Sequence, residues 1–176
     1  YQQLVDFHKL HYHPSNSVFM TYGDISAFEH QTQFEQLALA RFEDTVPQVH
    51  VTLESRYAEP KAIEKNYALD EEDTSNKTHI VLAWLLGQNQ DPLSVLRGHL
   101  LSAVLLDNSA SPLRRALEDT ELASAPSPLL GFEESNKEMA FVVGVQGSEP
   151  EHAEAIENLI MTELQRIVDE LSLIHI

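Results

Sequence analysis

The chain has 176 residues, and the 43% that are hydrophobic suffice for one core of ordinary size or for two partial cores. Its 28 acidic and 11 basic residues give a formal net charge of −17, and a field of that sign argues against nucleic acid as a partner. No stretch approaches the ~20 consecutive apolar residues of a membrane span. Without cysteine, disulfides and thiolate chemistry are excluded. The composition predicts a soluble globular protein.

Two helices and one strand are predicted before residue 43. Residues 1–12 carry apolar side chains at helical spacing, and the pattern stops before a His-Pro pair, where proline disfavours helix. The run 18–22 is rich in strand-forming residues. Ser26 and Glu29 form a capping box, which predicts that a second helix begins there and ends near Phe42.

The stretch 44–60 is predicted to link two domains. Its apolar periodicity is weak, it contains two prolines, and its charges are scattered. Beyond it, 62–69 is compatible with a strand. The acidic run 70–73 could be a cation site or a solvated loop, and the loop is favoured because nothing there fixes the geometry of metal ligands.

The second domain is predicted to begin at 61 and to contain two strands. The run 80–86 is apolar on both alternating faces, which predicts a central strand covered on both sides. Residues 139–145 predict another strand beside it. Strands and helices in this order indicate an α/β fold, a sheet with helices on one face.

Three helices are predicted around these strands. Asp91 followed by proline starts the first, and Ser111 followed by proline starts the second. Ser148 and Glu151 form a capping box before the third. The first helix carries apolar residues at helical spacing, namely Leu93, Leu96, Leu100 and Val104. The third carries the longest such stripe, namely Ala153, Ile156, Ile160, Leu164, Ile167 and Leu171.

Three of the nine histidines, His8, His11 and His13, are close in sequence, and a helix would bring His8 and His11 onto one side. Catalytic zinc, however, needs three protein ligands and an oriented base. No carboxylate accompanies these histidines at a known spacing, and neither H-E-x-x-H nor H-x-x-E-H occurs in the sequence. Capping and surface roles are therefore favoured over a metal site.

The sequence offers no other constellation for catalysis or cofactor binding. Ser111 could suggest a nucleophile, but no G-x-S-x-G elbow surrounds it, and a position at the N-cap of a helix explains it. The six glycines form neither G-x-G-x-x-G nor a phosphate loop. We therefore predict no catalytic, cofactor-binding or metal-binding residue in this chain.

Three strings together resemble the presequence protease subgroup of the insulinase/pitrilysin metallopeptidases. Residues 7–24 contain HYHPSN followed by FMTYGD, similar to the segment that closes the first domain of this family. Residues 83–93 contain AWLLG and DPL, similar to the strand and helix that open the second domain. Residues 105–117 contain LLDNSASPL and AL, similar to a helix pair of the subgroup. Their order and spacing fit one family.

The resemblance implies a zinc metalloendopeptidase that encloses unfolded peptides, such as basic targeting presequences, between two halves. The sheet would be mixed and mainly antiparallel. Residues 1–43 would close the zinc-bearing first domain, and 61–176 would form most of a non-catalytic second domain, as scaffold and chamber wall. The zinc ligands and catalytic glutamate of H-x-x-E-H would lie upstream of Tyr1, so none is assigned here.

The remaining expectations concern the parent protein. No signal-like segment follows Tyr1, and we interpret the chain as an internal fragment whose targeting segment lies elsewhere. The apolar end, 171–176, departs from the subgroup and is interpreted as an artefact. The partners implied are peptide substrate and the other domains of the same chain, in bacterial cytoplasm or an organelle matrix. The alternative is a non-catalytic family member that serves assembly.

Overall fold

A computed structural model describes residues 1–43 and 51–174 of the chain. These residues separate into two compact units, Tyr1–Thr52 and Leu53–Ile176. Because 44–50 lies outside the described residues, the division into 1–43, a linker over 44–60 and a domain over 61–176 stays a prediction. In the described part of the chain, no helix has the length and apolar character that a membrane crossing requires.

The N-terminal unit contains two helices, α1 (Gln2–His11) and α2 (Ala27–Leu37). After α1, the proline that was expected to end it begins a short 3₁₀ turn, Pro14–Asn16. The Oγ atom of Ser26 accepts a hydrogen bond from the backbone N–H of Glu29 at 3.2 Å, which satisfies one of the free donors at the start of α2. The predicted N-cap is thus confirmed, although α2 ends five residues before Phe42.

Two predicted strands are wrong. Residues 18–22 form no strand, and Val18, Met20 and Tyr22 are each more than 90% exposed. Residues 62–69 likewise contain neither helix nor strand. Strand-forming residues produce a strand only where a neighbouring strand accepts their backbone hydrogen bonds, and neither segment is paired with one.

The C-terminal unit is built on an antiparallel sheet of four strands: β1 (Thr78–Gln88), β2 (Ala125–Pro126), β3 (Gly131–Glu133) and β4 (Glu138–Ser148). The central strand is β4, with β1 on one side and both β2 and β3 on the other. The strands predicted at 80–86 and 139–145 are confirmed as neighbours. They correspond to β1 and β4, which pair in a register that places Leu82 opposite Val143.

Three helices complete this unit: α3 (Pro92–Leu106), α4 (Pro112–Asp119) and α5 (Ala153–Ile174). They pack against one face of the sheet, so the predicted α/β class, here an α+β arrangement with an antiparallel sheet, is confirmed. The core is a single cluster contributed by α3 to α5 and by alternate residues of β1 and β4. Its most deeply buried apolar side chains are Leu113, Leu117, Val143, Val145, Ile156 and Ile160.

The expected burial of 80–86 on both faces is wrong. Ile80 is 9% exposed and packs into the core, whereas Val81 and Leu85, which point to the opposite face, are 41% and 40% exposed. The strand is apolar on both sides, but it lies at one edge of the sheet and the described helices cover only one of its faces. Apolar composition therefore did not distinguish a central strand from this edge strand.

Two predicted caps also differ from the structure. Ser111 lies at the N-cap of α4, but its Oγ accepts from the backbone N–H of Asn108 at 3.4 Å and does not cap the helix. The Oγ of Ser148 donates to the carbonyl oxygen of Leu122 at 2.7 Å instead of pairing with Glu151. Pro150 begins a 3₁₀ turn before α5, and this turn moves the start of the helix away from Ser148.

Candidate functional site

An open groove of about 660 Å³ lies where the first turns of α3 meet the end of β3. Its floor is apolar, and its rim carries amide, imidazole and carboxylate groups. The residues that line it include Asn89, Val95, Leu96, His99, Glu133 and Glu134. Since α3 starts at Asp91, whose carboxylate accepts from the backbone N–H groups of Leu93 and Ser94, the helix cap fixes one wall of the groove.

The two walls of the groove are joined by polar contacts. The Nε2 atom of His99 lies 3.2 Å from Oε1 of Glu134, and the His99 ring packs edge-on against Phe132 with ring centroids 5.0 Å apart. The Nδ2 atom of Asn89 donates to the carbonyl oxygen of Glu134 at 3.1 Å. These contacts hold the loop after β3 against α3, so the groove is formed before any ligand arrives.

The electrostatic character of the groove is negative. The Oε1 atom of Glu133 accepts from the backbone N–H of Ser135 at 2.7 Å, and hydrogen bonds from Ser135 hold the pKa of this carboxyl below its ordinary value. Glu133 is therefore ionised at neutral pH. Carboxylates above an apolar floor are complementary to a ligand that carries both positive and apolar groups.

The acidic run 70–73 does not line this groove. It forms an exposed loop in which Glu71 pairs with Nζ of Lys77 at 2.8 Å and Asp73 accepts from the backbone N–H of Ser75 at 2.9 Å. The hydrogen bond from Lys77 holds the pKa of the Glu71 carboxyl below its ordinary value. The run is thus a solvated loop with local contacts, as the sequence favoured.

The histidines near the N-terminus are engaged in other contacts. His8 stacks on Tyr12 with ring centroids 4.9 Å apart, and His11 stacks on Phe7 at 4.0 Å. His13 lies beyond the end of α1, and its Nδ1 atom accepts from the backbone N–H of Ser15 at 3.2 Å. Among residues 1–43 and 51–174, no group of three or more histidine, cysteine, aspartate and glutamate side chains could hold a metal ion.

A serine and a histidine meet in the C-terminal unit, but not as a nucleophile and its base. The Oγ atom of Ser148 and the Nδ1 atom of His152 lie 3.4 Å apart, and both lie within 3.1 Å of the carbonyl oxygen of Leu122. Ser148 is 1% exposed, so a substrate cannot reach it. The contact fixes the chain before β2 to the start of α5.

Comparison with known proteins assigns the chain to a family. The family described as "Peptidase M16 inactive domain" matches residues 1–173. The chain belongs to the peptidase M16 family. The resemblance to the presequence protease subgroup is also confirmed, since relatives named "Presequence protease, mitochondrial" align over nearly the whole chain.

Three of these M16 relatives illustrate the similarity. The chain is 29% identical to the zebrafish (Danio rerio) protein over 96% of its length and 30% identical to the Xenopus laevis protein over 97%. It is 36% identical to the Gibberella zeae protein over 84% of its length. The chain spans only 17%, 17% and 15% of these relatives, respectively.

Zinc, the metal of M16 peptidases, does not fit the described residues of this chain. His8, His11 and His13 are each held by ring stacking or a backbone contact, and no carboxylate joins them in a ligand set.

The sequence analysis did not predict the polar contacts that shape the groove between α3 and β3, above all those of His99 and Asn89. One feature of the sequence could have indicated that α3 and β3 lie close together. Gly98 lies in the middle of α3, where glycine is unfavourable, and a Cβ atom there would come within 2.4 Å of the Phe132 ring. A glycine inside a predicted helix could thus have indicated the close approach of β3.

Proposed function

We propose that this chain is a non-catalytic segment of a zinc-dependent metalloendopeptidase that degrades unfolded peptides, such as targeting presequences. The observation that carries the proposal is the alignment of 96–97% of the chain with 17% of proteins named presequence protease. The segment would supply scaffold and part of the wall that contacts the peptide. Like the relatives named mitochondrial, the parent would act in an organelle matrix.

The groove between α3 and β3, which Leu96 borders on one side, would contribute to that wall. Its carboxylates, Glu133 and Glu134, face a cavity large enough for a few side chains of an extended peptide. Targeting peptides are rich in arginine and poor in acidic residues, so the sign of the charge is complementary.

The experiment is an assay of the full-length parent with an unfolded basic peptide. We expect cleavage that a chelator abolishes and stoichiometric zinc restores, and an upstream H-x-x-E-H motif in the parent sequence. The 176-residue chain alone should not cleave the peptide. Chelator-resistant cleavage, or none at all by a folded parent that binds zinc, would contradict the proposal.

The second candidate is a non-catalytic family member that serves assembly. It is favoured by one observation, since the matching family is described as an inactive domain. A parent that lacks H-x-x-E-H and does not bind zinc would support this candidate, because catalytic zinc needs three protein ligands and this motif supplies two of them in the inverzincin peptidases.

A further inference from the structure

Helix α3 is buried on one side and apolar on the opposite, exposed side. Its buried side faces β3 and the core through Gly98, Ser102 and Leu105, which are spaced four and three residues apart. The opposite side carries four apolar residues with the same kind of spacing, namely Leu93, Leu96, Leu100 and Val104. A helix that is apolar all round is normally buried all round, whereas a surface helix has one polar face.

The outer row of α3 is nevertheless exposed in this structure. Each of its four side chains is between 52% and 59% exposed, and Leu101 beside them is 50% exposed. The fifteen residues of α3 include no acidic residue, although the chain carries 28, and Arg97 is the only one with a permanent charge. A contiguous apolar patch of this kind marks an interaction surface.

We infer that the outer row of α3 is an interdomain interface, covered in the parent protein by another folded domain of the same polypeptide. The inference rests on the proposed function, in which this chain is one segment of a longer peptidase. The chain spans 17% of its M16 relatives, so most of such a polypeptide is available to cover the row. The covering surface is therefore apolar, to match the leucine and valine side chains of the row.

A second copy of this chain fits the row less well. Each copy carries a net charge of −17, and two bodies of the same strong charge repel each other at long range. For a domain of the same polypeptide, the covalent connection raises the effective concentration at the row, which offsets electrostatic repulsion.

Thiol labelling tests the inference, because the chain has no cysteine of its own. Leu100→Cys places a probe in the row, and Glu72→Cys places a control in the exposed acidic loop. Both variants are made in the 176-residue chain and in the full-length parent, and labelling is followed by mass spectrometry of the peptide that carries the probe. Val104→Cys is a second probe should Leu100→Cys not fold.

We expect similar labelling of both probes in the 176-residue chain. In the parent, Leu100→Cys should react at least about tenfold more slowly than Glu72→Cys, since a covered thiol reacts only in locally opened molecules. Equal rates in the parent would overturn the inference. So would protection in the dilute 176-residue chain, or protection that increases with its concentration, which would identify a second copy.

Labelling does not depend on catalysis, so the two proposals can fail separately. A parent without zinc-dependent cleavage but with a protected Leu100→Cys would contradict the proposed activity and support the interface. A parent that cleaves peptides with zinc but whose Leu100→Cys thiol is labelled freely would support the proposed activity and contradict the interface.

Discussion

Arg56 donates from Nη2 to Oε1 of Glu138 at 2.6 Å, and the same nitrogen lies 2.9 Å from the carbonyl oxygen of Leu86. The other carboxylate oxygen of Glu138 accepts from the backbone N–H of Glu54 at 2.6 Å. Glu138 is 8% exposed and is the first residue of β4. One buried carboxylate thus ties a segment without helix or strand to the adjoining ends of β1 and β4.

The first prediction is that Glu138→Gln lowers the stability of the C-terminal unit. The amide is similar in size to the carboxylate, but it loses the charge-assisted contacts with Glu54 and Arg56. Thermal unfolding followed by circular dichroism measures the change. Asp119→Asn is the control, because Asp119 pairs with Arg115 at an exposed site and should hardly alter the melting temperature.

The same contacts predict a dependence on pH. The hydrogen bond from Glu54, followed by that from Arg56, holds the pKa of the Glu138 carboxyl below its ordinary value of 4.5. The stabilisation is therefore complete above pH 4.5 and is lost as the pH falls through the lower pKa of the folded state. Wild type should lose more stability than Glu138→Gln between pH 5 and pH 3. If the stabilities of wild type and Glu138→Gln fall in parallel with pH, the lowered pKa is not a property of Glu138.

The second prediction concerns Gly144, opposite Val81 in the ladder of β1 and β4. A Cβ atom at this position would come within 2.2 Å of the carbonyl oxygen of Ile80, and backbone cannot move aside as a side chain can. Gly144→Ala should therefore destabilise the unit by about 1–3 kcal/mol. At Gly87 the nearest atom would be 4.0 Å away, so Gly87→Ala is the matched control. Chemical denaturation measures the free energy of unfolding of both variants. Equal values for Gly144→Ala and Gly87→Ala would argue against this close approach of the strands.

Much of the C-terminal unit follows from sequence because local and tertiary preferences agree there. Asp91 caps α3 with its carboxylate, and the stripe of α5 places Ile156 and Ile160 in the core, as the spacing predicts. The prediction failed where a neighbour decides the outcome. The run 18–22 has strand-forming residues but no partner strand, and Val81 is exposed because β1 lies at an edge. Periodicity contains no information about either neighbour.

The groove could be predicted only in part. Glu133 and Glu134 stand out in the sequence as an acidic pair, but His99 and Asn89 contact Glu134 from positions more than thirty residues away. Contacts at that separation depend on the packing of α3 against β3, which no local pattern specifies. The family resemblance predicted the fold class and the kind of parent protein, and it assigned no residue to this groove.

The third prediction tests which face of β1 is covered by the core. Leu82 packs against the core and pairs with Val143, so Leu82→Asp places an unpaired charge on the covered face. This should cost several kcal/mol and prevent folding. Val81→Asp is the control, because Val81 points to the opposite face and is 41% exposed. A Leu82→Asp variant that melts cooperatively, as Val81→Asp should, would show that the faces are assigned wrongly.

The fourth prediction is that the 176-residue chain binds no zinc tightly. His8, His11 and His13 are the densest group of histidines in the sequence, yet their rings are held in separate contacts. Calorimetric titration with zinc, after treatment with a chelator, should show no stoichiometric site. A single site of about nanomolar affinity that is lost in His11→Ala would overturn this assignment, since structural and catalytic zinc sites bind this tightly.

The fifth prediction concerns steering of a basic peptide by the acidic groove, and it is tested in the full-length parent. Long-range attraction raises the rate of encounter and weakens as the Debye length falls from ~30 Å at 0.01 M salt to ~8 Å at physiological ionic strength. We therefore expect kcat/KM for a basic peptide to fall over this range, provided that chemistry does not limit the rate. An uncharged peptide of the same length should respond little.

Two double variants with the same change in net charge locate the effect. Glu133→Gln with Glu134→Gln removes the carboxylates of the groove, whereas Glu71→Gln with Glu72→Gln removes two from the exposed loop. If the groove steers the peptide, the first pair should lower kcat/KM at low salt and flatten its salt dependence, and the second should change neither appreciably. Equal effects of the two pairs would mean that only the total charge matters. A kcat/KM that does not depend on salt in the wild type would leave solubility as the role of the acidic residues, because steering by exposed charge must respond to screening.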